Sequence, residues 1–336
     1  MSEKRLKILY KSKNYVIVDK HYDVMVNSND PSVVTIATQL RDIYPDLANP
    51  SLGHLFRFAH RLDYSTSGCL CVCFNKEAAA EAAKAFGNNR VTKHYLALVR
   101  GHVTPGEGNS RTIDICIGKD TLSDNPYKQC EASKPGCVDV KKSLTELHVL
   151  EHGTYEGLPA SKLLLRPQTG RMHQLRVHCD YIGHRIIGDF TYSNREDVSP
   201  FRMMLHAYSL TIYTVKSTDG AIHTTAEDPF TSTCDPKWTP VDIIAKYNDI
   251  IKSLGKDKAL LNYEDYLETR EKQRIAREKH YEKKKAKLEQ VARQSVSLKN
   301  ISRDDDNKLN SCELSHGSHD RTVLENPKSK RSGSLS

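Results

Sequence analysis

The densest group of residues able to do chemistry is HRLDYSTSG at positions 60–68. It sets an acid, Asp63, two residues after Arg61 and just ahead of Thr66, Ser67 and Gly68. Hydroxyl side chains and glycine let a chain turn tightly, so the acid would sit where a loop enters the next element, rigidly held yet able to reach a cleft. Arg61 could pair with that acid or face a phosphate. Read alone, the pattern is an acid in a capped turn. A second group, RPQTGRMHQLRVHCDYIGHRIIGD at 166–189, places arginines at 166, 171 and 176 and histidines at 173 and 178. If 175–178 is extended, Arg176 and His178 share one face while Leu175 and Val177 point to the core. Arginines so placed can hold a carboxylate bidentately or grip phosphate. The same stretch offers His173, His178, Cys179 and Asp189 as metal ligands, but their spacing matches no familiar zinc pattern and no metal is expected. Cys69, Cys71 and Cys73 alternate along one face of a strand and read as small buried hydrophobes.

These groups must be positioned by the elements around them. Residues 6–19 read as strand, with YVIV as a buried run, and Thr35–Tyr44 as a short helix closed by Pro45 and Asp46. CLCVCF (69–74) predicts a strand buried on both faces. Asn75 then caps KEAAAEAAKAF, a helix that Gly87, Asn88 and Asn89 end. YLALVRGHV (95–103), SKLLLRP (161–167), LRVHCDYIG (175–183) and MMLHAYSLTIY (203–213) are further strand candidates, and 104–136 reads as loops around a short strand. Many short strands with few helices predict an α+β fold rather than alternating βαβ units.

Composition narrows the class of function. The chain has 336 residues and a net charge of +8, which favours a polyanionic partner. Residues 256–336 hold 19 Lys and Arg against 14 Asp and Glu, so the first 255 residues are only mildly basic and any grip on nucleic acid there must come from arranged side chains. No run approaches the length of a membrane span, and MSEKRLKILYKSK lacks the apolar core of a secretory signal. Nine cysteines without such a signal predict reduced thiols inside the cell, in cytoplasm or nucleus. Three parts are expected: a catalytic domain over 1–255, a charged helical extension over 256–294, and a disordered tail over 295–336.

In order and spacing, HRLDYSTSG with its following apolar strand, KHYLALVRG, RPQTGRMHQLRVHCDYIGHRIIGDFTY and MMLHAYSL resemble the RluA-type RNA pseudouridine synthases. The resemblance runs from about residue 8 to 230. It implies an α+β fold with a mixed, mainly antiparallel sheet split by a catalytic cleft. It also implies isomerisation of uridine in a structured RNA (tRNA, rRNA or an mRNA stem-loop) without cofactor or metal, by a chain favoured as a monomer. Asp63 falls on the family's catalytic aspartate, Arg176 on the arginine that pairs with it, and Tyr95 on the tyrosine that stacks on the uracil and is a candidate acceptor of the C5 proton. Arg61 falls on an arginine that fills the space left by the everted base, with Lys93, Arg171 and His173 as further RNA contacts. Asp189 is expected to support the turn beside the cleft, and His60 to be a hydrogen-bonded loop residue. The pattern departs from the family's at His21–Val24, where Pro and Gly are usual, and at Arg185 and Ser193. The N-terminal S4 module of many relatives is not expected here. A catalytically silent RNA-binding or ribosome-assembly protein on the same fold is the alternative.

Overall fold

The period-2 runs build one twisted sheet, with the helices laid against it. The computed structural model describes residues 6–215, 219–255 and 258–310. The first half of the chain supplies strands β1 (Lys7–Lys11), β2 (Tyr15–Lys20), β3 (Arg57–Phe58), β4 (Ser67–Cys73), β5 (Val91–Arg100), β6 (Arg111–Asp120) and β7 (Gln129–Glu131). The second half adds β8 (Cys137–Tyr155), β9 (Leu158–Pro167), β10 (Leu205–Tyr213), β11 (Ala221–Thr225) and β12 (Trp238–Ile243). The main path runs β1-β2-β4-β10-β5-β9-β8-β6-β7. Every pairing is antiparallel except that of β4 with β10. This is the α+β class that the pattern of strands and helices predicts, with the mixed, mainly antiparallel sheet that the resemblance implies. Among the described residues no helix is long and apolar enough to cross a membrane.

Strand β4 is buried on both faces because each is covered by a helix. Cys69, Cys71 and Cys73 pack with the alanines of α2 (Lys76–Gly87), while Leu70 and Val72 pack with Ile36 and Leu40 of α1 (Ile36–Ile43). Both helices start as expected: Thr35 Oγ1 accepts from Thr38 N, and Asn75 Oδ1 from Ala78 N at 2.8 Å.

The parallel pair β4–β10 sets the position of the Asp63 loop, and it depends on Gly68. That residue has φ +106°, and a Cβ there would lie 2.2 Å from the Ala207 carbonyl oxygen of β10. Any side chain would push apart the strands on which the loop rests. Gly68→Ala is therefore expected to destabilise the protein by about 3 kcal/mol, combining overpacking with an unfavourable φ. A denaturant midpoint unchanged from wild type would contradict this.

Three expectations are corrected. Residues 174–181 form a helix, α3 (Gln174–Tyr181), where a strand was expected. Leu175 through Cys179 are all buried, so no polar face reveals the helical period, and Leu175, Val177 and Cys179 mimic alternation. Arg176 and His178 consequently lie on different sides: His178 Nε2 reaches Ser143 Oγ on β8 at 2.8 Å. The stretch 104–136 is more ordered than expected, since β6 pairs along most of its length with the long strand β8.

The third correction concerns the C-terminal part. The sheet-bearing unit extends through Glu268, past the expected boundary at 255, and takes in α4 (Tyr247–Ser253) and the start of α5 (Lys258–Asn310). Tyr263 stacks on Tyr213 and Asn262 donates to the Asn89 carbonyl, which ties that start to the sheet. The second unit begins at Thr269, and its helix continues to Asn310, into the span expected to be disordered. Residues 258–310 contain neither Pro nor Gly to stop it, and pairs such as Arg274–Glu278 support it. The remainder of the expected tail, 311–336, lies outside the described residues.

Candidate active site

A cleft of about 650 Å³ opens where β5 and the end of β10 meet the loop before β4 and the turn leading into α3. It brings together every residue singled out for chemistry or RNA contact: Arg61 and Asp63 from the loop, Lys93 and Tyr95 from β5, Arg171 and His173 from the turn, and Arg176 from α3. Arg166, the first of the three spaced arginines, leaves this group. It turns to Glu146, 2.6 Å away, and to His94.

The carboxylate of Asp63 is 20% exposed, and Arg176 Nη1 approaches its Oδ2 at 3.4 Å. Arg176 itself is anchored elsewhere. Its Nε and Nη2 donate to the two oxygens of Asp189, both at 2.7 Å, and its guanidinium lies over the Tyr192 ring at 5.0 Å. The Asp189 side chain is 1% exposed, and its Oδ1 also accepts from the backbone N–H groups of Thr191 and Tyr192. The bidentate pair fixes the guanidinium plane and leaves one nitrogen for Asp63. Burial alone would lower the Arg176 pKa, but the hydrogen bonds and charge of Asp189, with the charge of Asp63, raise it overall. The cation is permanent, and it faces Asp63 through the one nitrogen that Asp189 leaves.

The remaining groups are tuned chiefly by burial. Tyr95 has its phenol pKa raised by burial and then by the Asp63 charge, so it stays protonated at neutral pH. Lys93 donates to the Thr169 carbonyl at 3.2 Å, and burial pushes its pKa down to about 8. His173 is lowered to about 4, first by burial and then by Arg176. Its Nε2 stands 3.8 Å from Asp63 Oδ2, and its Nδ1 lies 3.2 Å from the Tyr192 hydroxyl. Arg171 is exposed and donates to the Lys142 carbonyl. Arg61 is exposed at the mouth. His60 accepts from the Cys71 backbone N–H at 2.9 Å and stacks on Phe86, as expected of a packed loop residue.

Several residues that hold this geometry carry no signal in the sequence as read. The loop is pinned just after Asp63. Lys20 Nζ donates to the Tyr64 carbonyl at 2.8 Å, and Arg202 Nη2 to Ser67 Oγ, which also bonds His206 Nδ1. The turn into α3 is fixed by Gln174: its Oε1 accepts from Thr169 Oγ1 and Arg171 N, while its Nε2 donates to the Leu144 carbonyl. Tyr192 stands behind His173, its hydroxyl bonding both His173 Nδ1 and the Gln129 backbone. Of the four residues considered as metal ligands, His173 and His178 each bond through one ring nitrogen, to Tyr192 and Ser143, and Asp189 is held by Arg176. Among the described residues no three His, Cys, Asp or Glu side chains gather as metal ligands could.

Comparison with known proteins gives a consistent result. Residues 14–181 match the model of the RNA pseudouridylate synthase family. The chain is 46% identical over 254 residues to RNA pseudouridylate synthase domain-containing protein 1 of Danio rerio, covering 75% of this chain and 85% of that protein. It is 33% identical over 215 residues to the dual-specificity RNA pseudouridine synthase RluA of Escherichia coli strain K12, covering 62% of this chain and 86% of that protein. The solved structure of human RNA pseudouridylate synthase domain containing 1 superposes with a TM-score of 0.67 at 40% identity, covering 76% of this chain and 97% of that one.

Proposed function

This chain belongs to the RNA pseudouridylate synthase family, and from that premise we propose that it isomerises uridine to pseudouridine in a structured RNA, with Asp63 as the catalytic residue. The observation that carries the proposal is the Asp63 carboxylate, facing a nucleotide-sized cleft and paired with a guanidinium that Asp189 fixes in place.

In the reaction the N1–C1′ glycosidic bond breaks, the uracil turns, and C5 bonds to C1′; the C5 proton leaves to water while N1 takes one up, and a C2′ proton removed on the way is returned. Asp63 either attacks C1′ or removes the C2′ proton, and both roles require the carboxylate form. The uracil has to leave its stack to reach Asp63, at a cost of a few kcal/mol. The Tyr95 ring offers it a new stacking surface, and Arg61 at the mouth fills the space it vacates. Since the Tyr95 phenol stays protonated, stacking rather than proton abstraction is its role before catalysis. Atoms and charge balance without a redox partner or cosubstrate.

Lys93 and Arg171 meet the RNA backbone on this reading, which gives a pH test. Lys93 loses its proton on going through pH 8, so its attraction to phosphate is present below that value and lost above it. RNA affinity at fixed salt is expected to fall several-fold from pH 7 to pH 9, and Lys93→Arg should flatten that fall. An equal fall in Lys93→Arg would remove Lys93 from the RNA contact. Function itself is tested by transcriptome-wide pseudouridine mapping in cells with and without the protein, rescued by wild type or Asp63→Ala. Sites restored by wild type alone are the expected outcome; sites restored equally by both would contradict the proposal.

A further inference from the structure

The far wall of the cleft places a histidine with a fixed tautomer beside the catalytic acid. Tyr192 is 5% exposed, and its hydroxyl is surrounded by the backbone N–H of Gln129 at 3.1 Å, the carbonyl of the same residue at 3.1 Å, and His173 Nδ1 at 3.2 Å. A carbonyl can only accept, so the phenolic proton goes to Gln129 O, and the phenol oxygen is left to accept from the Gln129 N–H and from His173. His173 therefore carries its proton on Nδ1. Its other nitrogen, Nε2, presents a bare lone pair 3.8 Å from Asp63 Oδ2. The distance agrees with this assignment: two acceptors stand apart, whereas an N–H would close on the carboxylate to about 2.8 Å. Burial and the Arg176 charge hold His173 neutral above about pH 4, so the lone pair persists at physiological pH. The ring is also held at a cost. His173 begins α3 with φ 54°, a left-handed conformation that costs a non-glycine residue roughly 1–2 kcal/mol.

An acceptor at this place has a specific use. Asp63 works on C1′ or on the C2′ proton, and the hydroxyl on C2′ is two bonds from either reacting atom. We infer that His173 Nε2 accepts a hydrogen bond from the 2′-hydroxyl of the target uridine, so that His173 reads ribose against deoxyribose at the catalytic centre. The inference rests on the pseudouridine synthase reading, which supplies the nucleoside in the cleft. It gives His173 a sugar contact in place of the general RNA contact expected from resemblance, and it gives Tyr192 a positioning role. The 2′-hydroxyl is the group by which a protein tells RNA from DNA at a single site.

Two measurements on the full-length protein test this. In the first, nitrogen-15 NMR of labelled histidines, with His173 assigned by its loss in His173→Ala, should show Nδ1 protonated and Nε2 bare, and Tyr192→Phe should mix the tautomers. A protonated Nε2 in the wild type would overturn the inference without reference to activity. The second uses a hairpin RNA pool with an eight-nucleotide random loop, made with uridine or with 2′-deoxyuridine in the loop. Binding is measured in the Asp63→Ala background, so that chemistry does not enter. The ribose pool should bind about tenfold tighter, and adding His173→Ala should bring that ratio close to 1. Isomerisation of the ribose pool by the unaltered protein is read in parallel. A pool that is isomerised, with a ratio that survives His173→Ala, overturns this inference alone. A pool that is not isomerised overturns the enzyme reading and the inference with it.

Discussion

Replacing Asp63 by Ala is expected to lower uridine isomerisation by at least about 10³-fold while RNA binding changes only a few-fold. The split follows from the layout of the cleft. The substitution removes the group that would work on the ribose but leaves Arg61, Lys93, Tyr95 and Arg171, which line the same cavity and supply stacking and positive charge. It also leaves Arg176 paired with Asp189, so no buried guanidinium is stranded and the fold should survive. A thermal melt close to wild type would show that the loss is chemical. Binding that collapsed along with activity would mean that Asp63 shapes the cleft, and activity that persisted would move the catalytic role elsewhere.

Asp189→Ala should act through stability. The carboxylate it removes holds a guanidinium that is 9% exposed, through two hydrogen bonds of 2.7 Å, and caps the backbone N–H groups of Thr191 and Tyr192. Breaking a buried pair by deleting one partner costs about 3–5 kcal/mol, because the remaining charge stays buried. Asp63, 3.4 Å away and partly solvated, would compensate for little of this. The double variant Arg176→Met with Asp189→Leu removes both charges and should be less destabilised than Asp189→Ala, though inactive. Equilibrium denaturation of the single and double variants checks the order. A double variant less stable than Asp189→Ala would show that the pair itself, rather than the stranded charge, supplies the stability.

Where the local pattern and the tertiary environment agree, the sequence is easy to read. The capped helix after Asn75, the apolar strand before it and the positive φ at Gly68 each follow from a few neighbouring residues. The α3 segment fails because it is buried on all sides, so the contrast between faces that signals a helix is absent. The long strand β8 was missed for the opposite reason. Its first third, Cys137–Lys142, is largely exposed, and it is held in the sheet by β6 rather than by its own composition. Nothing in the residue spacing brings Asp63 to Arg176, which lie 113 residues apart; that pairing came from resemblance. Tyr192, Gln129 and Lys20 act through hydrogen bonds across the fold, those of Tyr192 and Lys20 reaching backbone carbonyls, and such bonds leave no mark on periodicity or charge pattern.

The most direct test follows the C5 hydrogen, which uridine must lose when C5 takes the place of N1 on C1′. RNA from cells lacking the protein, labelled with tritium at C5 of uridine, would be incubated with purified full-length protein and tritium in water counted. Wild type should release it and the folded Asp63→Ala variant should not. No release by folded wild type, or equal release by the two, would contradict the assignment of uridine isomerisation to this cleft.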